Sequence, residues 1–391
     1  MFEGKVLLVG SSFSAVPILQ HLRCRGLHIS VCGAYPHDPC HALADDSFII
    51  DYSNKHALLE LVDQQDFDYL VPSCNDYAYL SCCWVAEQRT FCGYDDYQTA
   101  LILHTKHAFR EFTHRSGLPA PYSQILTSAN HSLDPKLSYP LLVKPTDSFS
   151  GRGVTKVISE QQLEPALNNA MNNSRSNQAL VEQFVDGSLH SHSAFIKSGQ
   201  FVYETFADEF CTIHPYQVNC SNIPSSIPES VKNEVSKSIR SLATSLNLSD
   251  GLLHTQFIKN KHKFWIIECM RRCPGDLYGK MAELSEEVNY TDMLVRSYLG
   301  EALPAQVVKK ACRHIGRHTV STSREAIFTG LQDHTPGRTL AFIPLKNSGE
   351  ILAVAPYDKV GILFTEFASS LDMSEHTPSL ANHVKIESME Y

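Results

Sequence analysis

Long apolar runs are missing from this sequence. Nowhere do the roughly 18 consecutive apolar residues of a membrane-crossing helix occur, which excludes a helical span. Blocks of basic residues are missing too: 33 Lys and Arg stand against 42 Asp and Glu, a formal charge of −9. A nucleic-acid partner therefore has no electrostatic footprint to bind. The twelve cysteines include no Cys-x-x-Cys pair; they are scattered, partly within apolar runs, and two of them, Cys82 and Cys83, are neighbours. Reduced thiols are expected, not a disulfide framework. The opening MFEGKVLLVGSS lacks the basic region, apolar stretch and cleavage site of a secretory leader, so a cytoplasmic location is expected.

What is there is the composition of a globular chain, 43% hydrophobic and 19% charged. At 391 residues it exceeds one ordinary core, since cores stop growing at roughly 250–300 residues. Apolar runs at Lys5–Val9, HISVCG, SFIID and DYLVPS alternate with helical spacing in FSAVPILQHLRCRG and from Ser53 to Gln64. That alternation predicts a doubly wound parallel α/β domain over residues 1–100. Its first turn reads G-S-S-F-S-A and lacks the second and third glycines that admit a pyrophosphate, so bound NAD is not expected.

After Lys106 the texture changes. HTKHAFREFTHRSG is a helix ending at Gly117, and YPLLVKP is a strand running into DSFSGRG. Gly151 and Gly153 let backbone N–H groups fold over an anion with no Cβ in the way. The glycines lead into another strand, GVTKVI, so this is a hairpin flap and not a Walker loop. ALVEQFVDG follows as a strand. SAFIKSGQFVYETF and LLHTQFIKNKHKFWIIECM then read as hairpins, with a helix between them from about Pro228 to Leu246.

These elements carry a resemblance. A helix lysine (Lys106), a strand lysine before a Ser/Gly-rich loop (Lys144, then Ser148 to Gly153), E-x-F-V-x-G (Glu182 to Gly187) and E-x-x-R-R (Glu268 to Arg272), in that order, resemble the ATP-grasp superfamily. The match spans about Leu101 to Gly300, and the first domain is similar to the one preceding the grasp in carbamoyl-phosphate-synthase-like and biotin-carboxylase-like members. The implied organisation is α/β and α+β. Residues 1–100 form the N-terminal domain and 101–308 a two-lobed grasp, with a small lobe about 118–185 and a large lobe about 186–308. Residues 309–391 form a small β-rich appendage.

The resemblance further implies ATP and Mg2+. Lys106 and Lys144 would contact the phosphates, with Ser148, Ser150, Gly151 and Gly153 in the loop closing over them. Backbone groups of Gln183 and Val185 would read the adenine edge with Glu182 beside them, and His190 would lie at the ribose. Glu268 would hold magnesium, and Arg272 would act with Lys144 on the transferred phosphoryl group. Relatives carry acids or an amide oxygen where this chain has Gln256 and Met270. A glutamine oxygen is a weaker, neutral ligand for a hard cation, and a thioether is a poor one. With the hairpin tip at residues 260–262, Gln256 lies opposite Ile266 and diagonal to Glu268, on one face; purely structural hydrogen bonding by Gln256 stays open.

The implied activity is ADP-forming ligation of a small carboxylate, an amino acid for instance, to an amine through an acyl phosphate. Partners would be small molecules, with a homodimer left open. Three alternatives stand beside it: a carboxylase-like enzyme activating bicarbonate, a nucleotide-binding protein with little turnover because of its atypical metal site, and, last, an NAD-dependent oxidoreductase.

Overall fold

The computed structural model describes residues 3–127, 132–147 and 151–389. Two residues expected in the flap, Ser148 and Ser150, lie outside the described residues. At the N-terminus four parallel strands stand in the order Asp46–Ile49, His28–Gly33, Lys5–Val9, Tyr69–Pro72. Along Lys5–Val9 the side chains alternate between two cores. Leu7 and Val9 pack with Leu58 and Cys82, while Val6 and Leu8 pack with Ile18 and Leu19. A strand buried on both faces reads as a continuous apolar run for this reason.

The second body of the fold is a four-stranded antiparallel sheet in the order Ser123–Leu126, Ala179–Gln183, Leu141–Pro145, Thr155–Val157. Helix Leu163–Asn172 seals one face of it through Leu167 and Ala170, against Leu141, Val143 and Val181. Period-2 alternation then leaves Leu142 and Lys144 on the opposite face.

The third is an eight-stranded sheet: Lys263–Met270, Gly251–Asn260, Ser188–Lys197, Gln200–Phe210, Cys220–Ile223, His314–Val320, Gly361–Phe367, Arg338–Pro344. Helix Glu229–Ser245 covers one face through Val231, Val235, Ile239 and Leu242. Helices Tyr278–Glu286 and Tyr290–Tyr298 cover part of the other and share their core with Ile18 and Leu19 of the N-terminal unit. The β-rich C-terminal stretch does not stand by itself: three of its strands extend this sheet, and a three-stranded sheet of Ile351–Leu352, Ala326–Asp333 and Val384–Met389 lies beside it.

One register differs from expectation. The hairpin closes at Lys261 and His262, with Asn260 paired to Lys263, and a bulge between Gln256 and Phe257 places Gln256 directly opposite Glu268, not opposite Ile266. The extra residue, Ile267, lets Phe257 and Ile266 stay in the core under Glu229–Ser245 while Gln256 and Glu268 keep the other face.

Candidate active site

The two antiparallel sheets and the N-terminal unit enclose a cleft of about 1400 Å³. Lys106, Lys144, Glu182, Glu268 and Arg272 all line it, as do Gln183, Val185, His190, Gln256 and Met270. The sequence had spread these residues over 167 positions only in the sense of order; the fold brings them to one space.

On the small-sheet wall Lys144 Nζ donates to Glu182 Oε1 at 2.6 Å, both side chains buried. Arg110 Nε donates to Glu182 Oε2 at 3.0 Å, and its NH1 to the carbonyl of Ile267 at 2.7 Å. Two cations thus share one carboxylate. Burial pulls Lys144 down to about 8, with Glu182 opposing and Arg110 adding to the fall. Burial would raise Glu182, yet Lys144 and Arg110 outweigh it and hold the carboxyl below its usual range. Lys106, first residue of helix Lys106–Arg115, is also pulled down by burial, against the pull of Glu268 and Asp76. Arg110 follows Lys106 by one turn on the same face, an i, i+4 spacing visible in the sequence.

Gly151 and Gly153 both have φ of +71°. A Cβ on Gly151 would come within 2.8 Å of the Pro215 carbonyl oxygen, so this part of the flap rests on the large-sheet side with no room for a side chain. Both nitrogens of His190 are taken by the protein: Nδ1 pairs with Asp208 at 2.8 Å and Nε2 with the Ser188 hydroxyl at 2.7 Å. Its ring stacks on Phe257. The Gln183 backbone N–H donates to the Tyr122 carbonyl at 2.8 Å, leaving its carbonyl as the group available to a ligand, while its side chain is bonded to Ser138.

Across the cleft the adjacent arginines diverge as strand geometry requires. Arg271 is buried and pairs with Asp95 at 2.7 Å while capping the carbonyls of Leu252 and Ser249. Arg272 turns into the cleft and donates to Asp76 Oδ2 at 2.8 Å. Asp76 also meets His104 Nδ1 at 2.7 Å. Burial disfavours the Asp76 charge, but Arg272 and His104 overcome it and keep the carboxyl far below its ordinary range. Asp276, next to Gly275 in the expected pocket floor, pairs with Lys359 and accepts from Thr319 at 2.9 Å. Sequence reading had not singled out Asp76 or His104: Asp76 opens helix Asp76–Gln88, which it left unassigned, and His104, read as the start of the helix ending at Gly117, instead closes helix Tyr97–His104.

Magnesium is tested by the donor set. Glu268 enters none of the ion pairs among the described residues, although Lys106 and Arg272 are near enough to feel its charge. Gln256 Nε2 donates to Glu209 Oε2 at 2.6 Å, so the amide makes a structural hydrogen bond and presents only its oxygen. Met270 is buried beside them. A free carboxylate and an amide oxygen on one face fit a hard cation; the thioether does not add to the set.

A cleft between two antiparallel sheets, with buried Lys144 and half-buried Lys106 on one side and the Glu268 carboxylate on the other, suits a nucleotide and its divalent cation, as in enzymes of the grasp type. A family model described as "ATP-grasp domain" matches residues 137–278. The formate-dependent phosphoribosylglycinamide formyltransferase of Prochlorococcus marinus (strain MED4) is 24% identical over 308 residues, 77% of each chain. Among solved structures, the L-amino acid ligase of Bacillus licheniformis superposes with a TM-score of 0.83 at 16% identity, covering 99% of both chains. The biotin carboxylase domain of Hydrogenobacter thermophilus 2-oxoglutarate carboxylase, a complex with MgADP, ADP and bicarbonate, gives 0.78 at 16% identity over 99% of this chain and 92% of that one. Residues 137–278 thus carry an ATP-grasp domain, and with the relatives it matches the chain is an ATP-dependent ligase that uses magnesium.

Proposed function

We propose that this enzyme phosphorylates a small carboxylate, an amino acid in the simplest case, with ATP and joins the resulting acyl phosphate to an amine, releasing ADP and phosphate. The observation that carries the reading is the placement of Lys106 and Lys144 on one wall, and Glu268 and Arg272 on the other, of a single cleft. In it Lys106 and Lys144 neutralise the phosphates as compact cations. The Gln183 carbonyl and the Val185 backbone hold the adenine edge, Glu182 orients Lys144, and His190 lies at the ribose. Gly151 and Gly153 let the flap close over the phosphates and exclude water. Glu268 and the Gln256 oxygen hold magnesium, which when bound offsets the phosphate charge.

Arg272, fixed by Asp76, faces the phosphoryl group in transfer. The carboxylate oxygen attacks the γ-phosphorus, the bond to the β-phosphate oxygen breaks, and the amine then displaces phosphate from the acyl carbon. No enzyme nucleophile is required; positioning and charge neutralisation supply the catalysis. One relative is named as a formate-dependent transferase and one structural neighbour as an L-amino acid ligase, and both names support a small carboxylate here. Incubation with carboxylate and amine pairs should release ADP and phosphate only when both are present. AMP release would defeat the mechanism.

A further inference from the structure

Glu209 is a cleft-lining carboxylate that the proposed chemistry leaves unused. It lies at the end of strand Gln200–Phe210 and is only 5% exposed. Cross-strand register places it. Glu268 stands opposite Gln256, Gln256 opposite Ser191, and Ser191 opposite Ala207, so all four share a face of the sheet. Glu209 follows Ala207 by two residues and therefore points to that same face. Ser191 is small, and over it the Glu209 side chain reaches back across a strand to Gln256, where Oε2 accepts the amide N–H at 2.6 Å. The ion pairs among the described residues include neither Glu209 nor Glu268.

Buried carboxylates are stable when paired or when they bind a metal. Here a buried one, Glu209, and a half-buried one, Glu268, flank one amide; neither enters an ion pair among the described residues, although Arg317 acts on Glu209, and Lys106 and Arg272 on Glu268, from farther off. The sequence lacks an acid at position 256, yet the fold delivers one from a strand two places away in the sheet. We propose that Glu209 is a ligand of the divalent cation that accompanies the nucleotide, restoring in space the carboxylate that Gln256 lacks. Gln256 then anchors Glu209 through its nitrogen and offers its oxygen, and with Glu268 the three supply the hard oxygen donors such a cation takes. This rests on the reading of Glu268 as a metal ligand.

The test is a Mn2+ titration of the full chain with ADP present, followed by electron paramagnetic resonance, with ADP affinity in EDTA as the control for folding. Glu209→Gln should raise the Kd for Mn2+ by about tenfold or more, as should Glu268→Gln. The exchange Glu209→Gln with Gln256→Glu keeps an amide–carboxylate pair while moving the charge by one position, and should recover wild-type Mn2+ affinity to within about threefold. A Kd raised by Glu268→Gln but unmoved by Glu209→Gln overturns the proposal and leaves the Glu268 reading intact. A rise in Glu209→Gln that the exchange does not recover assigns Glu209 to anchoring alone and also overturns it. No change in either single variant removes the metal site from this pair of strands altogether.

Discussion

On the small-sheet wall of the cleft two cations, Lys144 and Arg110, share one carboxylate, Glu182, with all three buried. On the large-sheet wall two carboxylates, Glu209 and Glu268, enter no ion pair among the described residues, although Arg317 acts on the first and Arg272 on the second from farther off. The first wall holds more cations than carboxylates, and the second holds two carboxylates that no ion pair neutralises. Neither imbalance is favourable in a low-dielectric cleft without a ligand to meet it. A polyphosphate carrying a divalent cation presents an anion to one wall and a cation to the other, so the two imbalances cancel together.

The largest expected effect comes from breaking the cationic wall. Lys144→Ala should lower the rate of ADP formation roughly 10²–10³-fold, while Glu182 keeps Arg110 as partner and the fold survives; steady-state assays with a thermal melt check both. Removing the shared carboxylate is different in kind. Glu182→Ala leaves two buried cations facing each other and should cost about 3–5 kcal/mol of stability, read from urea unfolding.

The comparison sharpens with pH. Lys144 is pulled down to about 8 in the unliganded protein, so above that pH it must take up a proton to meet a phosphate. Nucleotide affinity should then fall by up to about tenfold per pH unit above 8, and Lys144→Arg should flatten that limb; calorimetry between pH 7 and 9.5 would detect it. Stability moves the other way. Because the unfolded lysine holds its proton to a higher pH than the folded one, the Lys144 contribution to stability rises with pH from about 8 towards the ordinary lysine value. The smallest effect is expected at the flap. Gly151→Ala forces a side chain into φ +71° against the Pro215 carbonyl and should raise KM for ATP severalfold with about 1 kcal/mol of local strain. A KM unchanged by this substitution would detach the flap from the nucleotide.

Helix Asp76–Gln88 shows why part of the site was illegible. Tyr79 and Cys83 pack into one core while Ala78, Cys82 and Val85 pack into another. A helix buried on two sides loses its polar face, and with it the 3.6-residue periodicity that reveals helices. Asp76, which fixes Arg272, was lost with it. Lys144 was legible because an alternating strand left it opposite a packed face, and its loop then carried two glycines. Glu209 was not, since nothing along the chain connects it to Gln256 across 47 positions; only strand order does.

The sequence by itself determined those elements with a clean apolar period and the outward parity of strands such as Leu141–Pro145, because apolar alternation and glycine positions are local properties of the chain. It also determined the order of the grasp motifs, and through them the class of enzyme. The tertiary structure decided which charges meet. The bulge that sets Gln256 opposite Glu268, the placement of strand Ser188–Lys197 between Glu209 and Gln256, and the shared core of the N-terminal unit with helices Tyr278–Glu286 and Tyr290–Tyr298 are all non-local pairings. Electrostatic interactions depend on distance through space, and separation along the chain carries no information about that distance until the strands are paired.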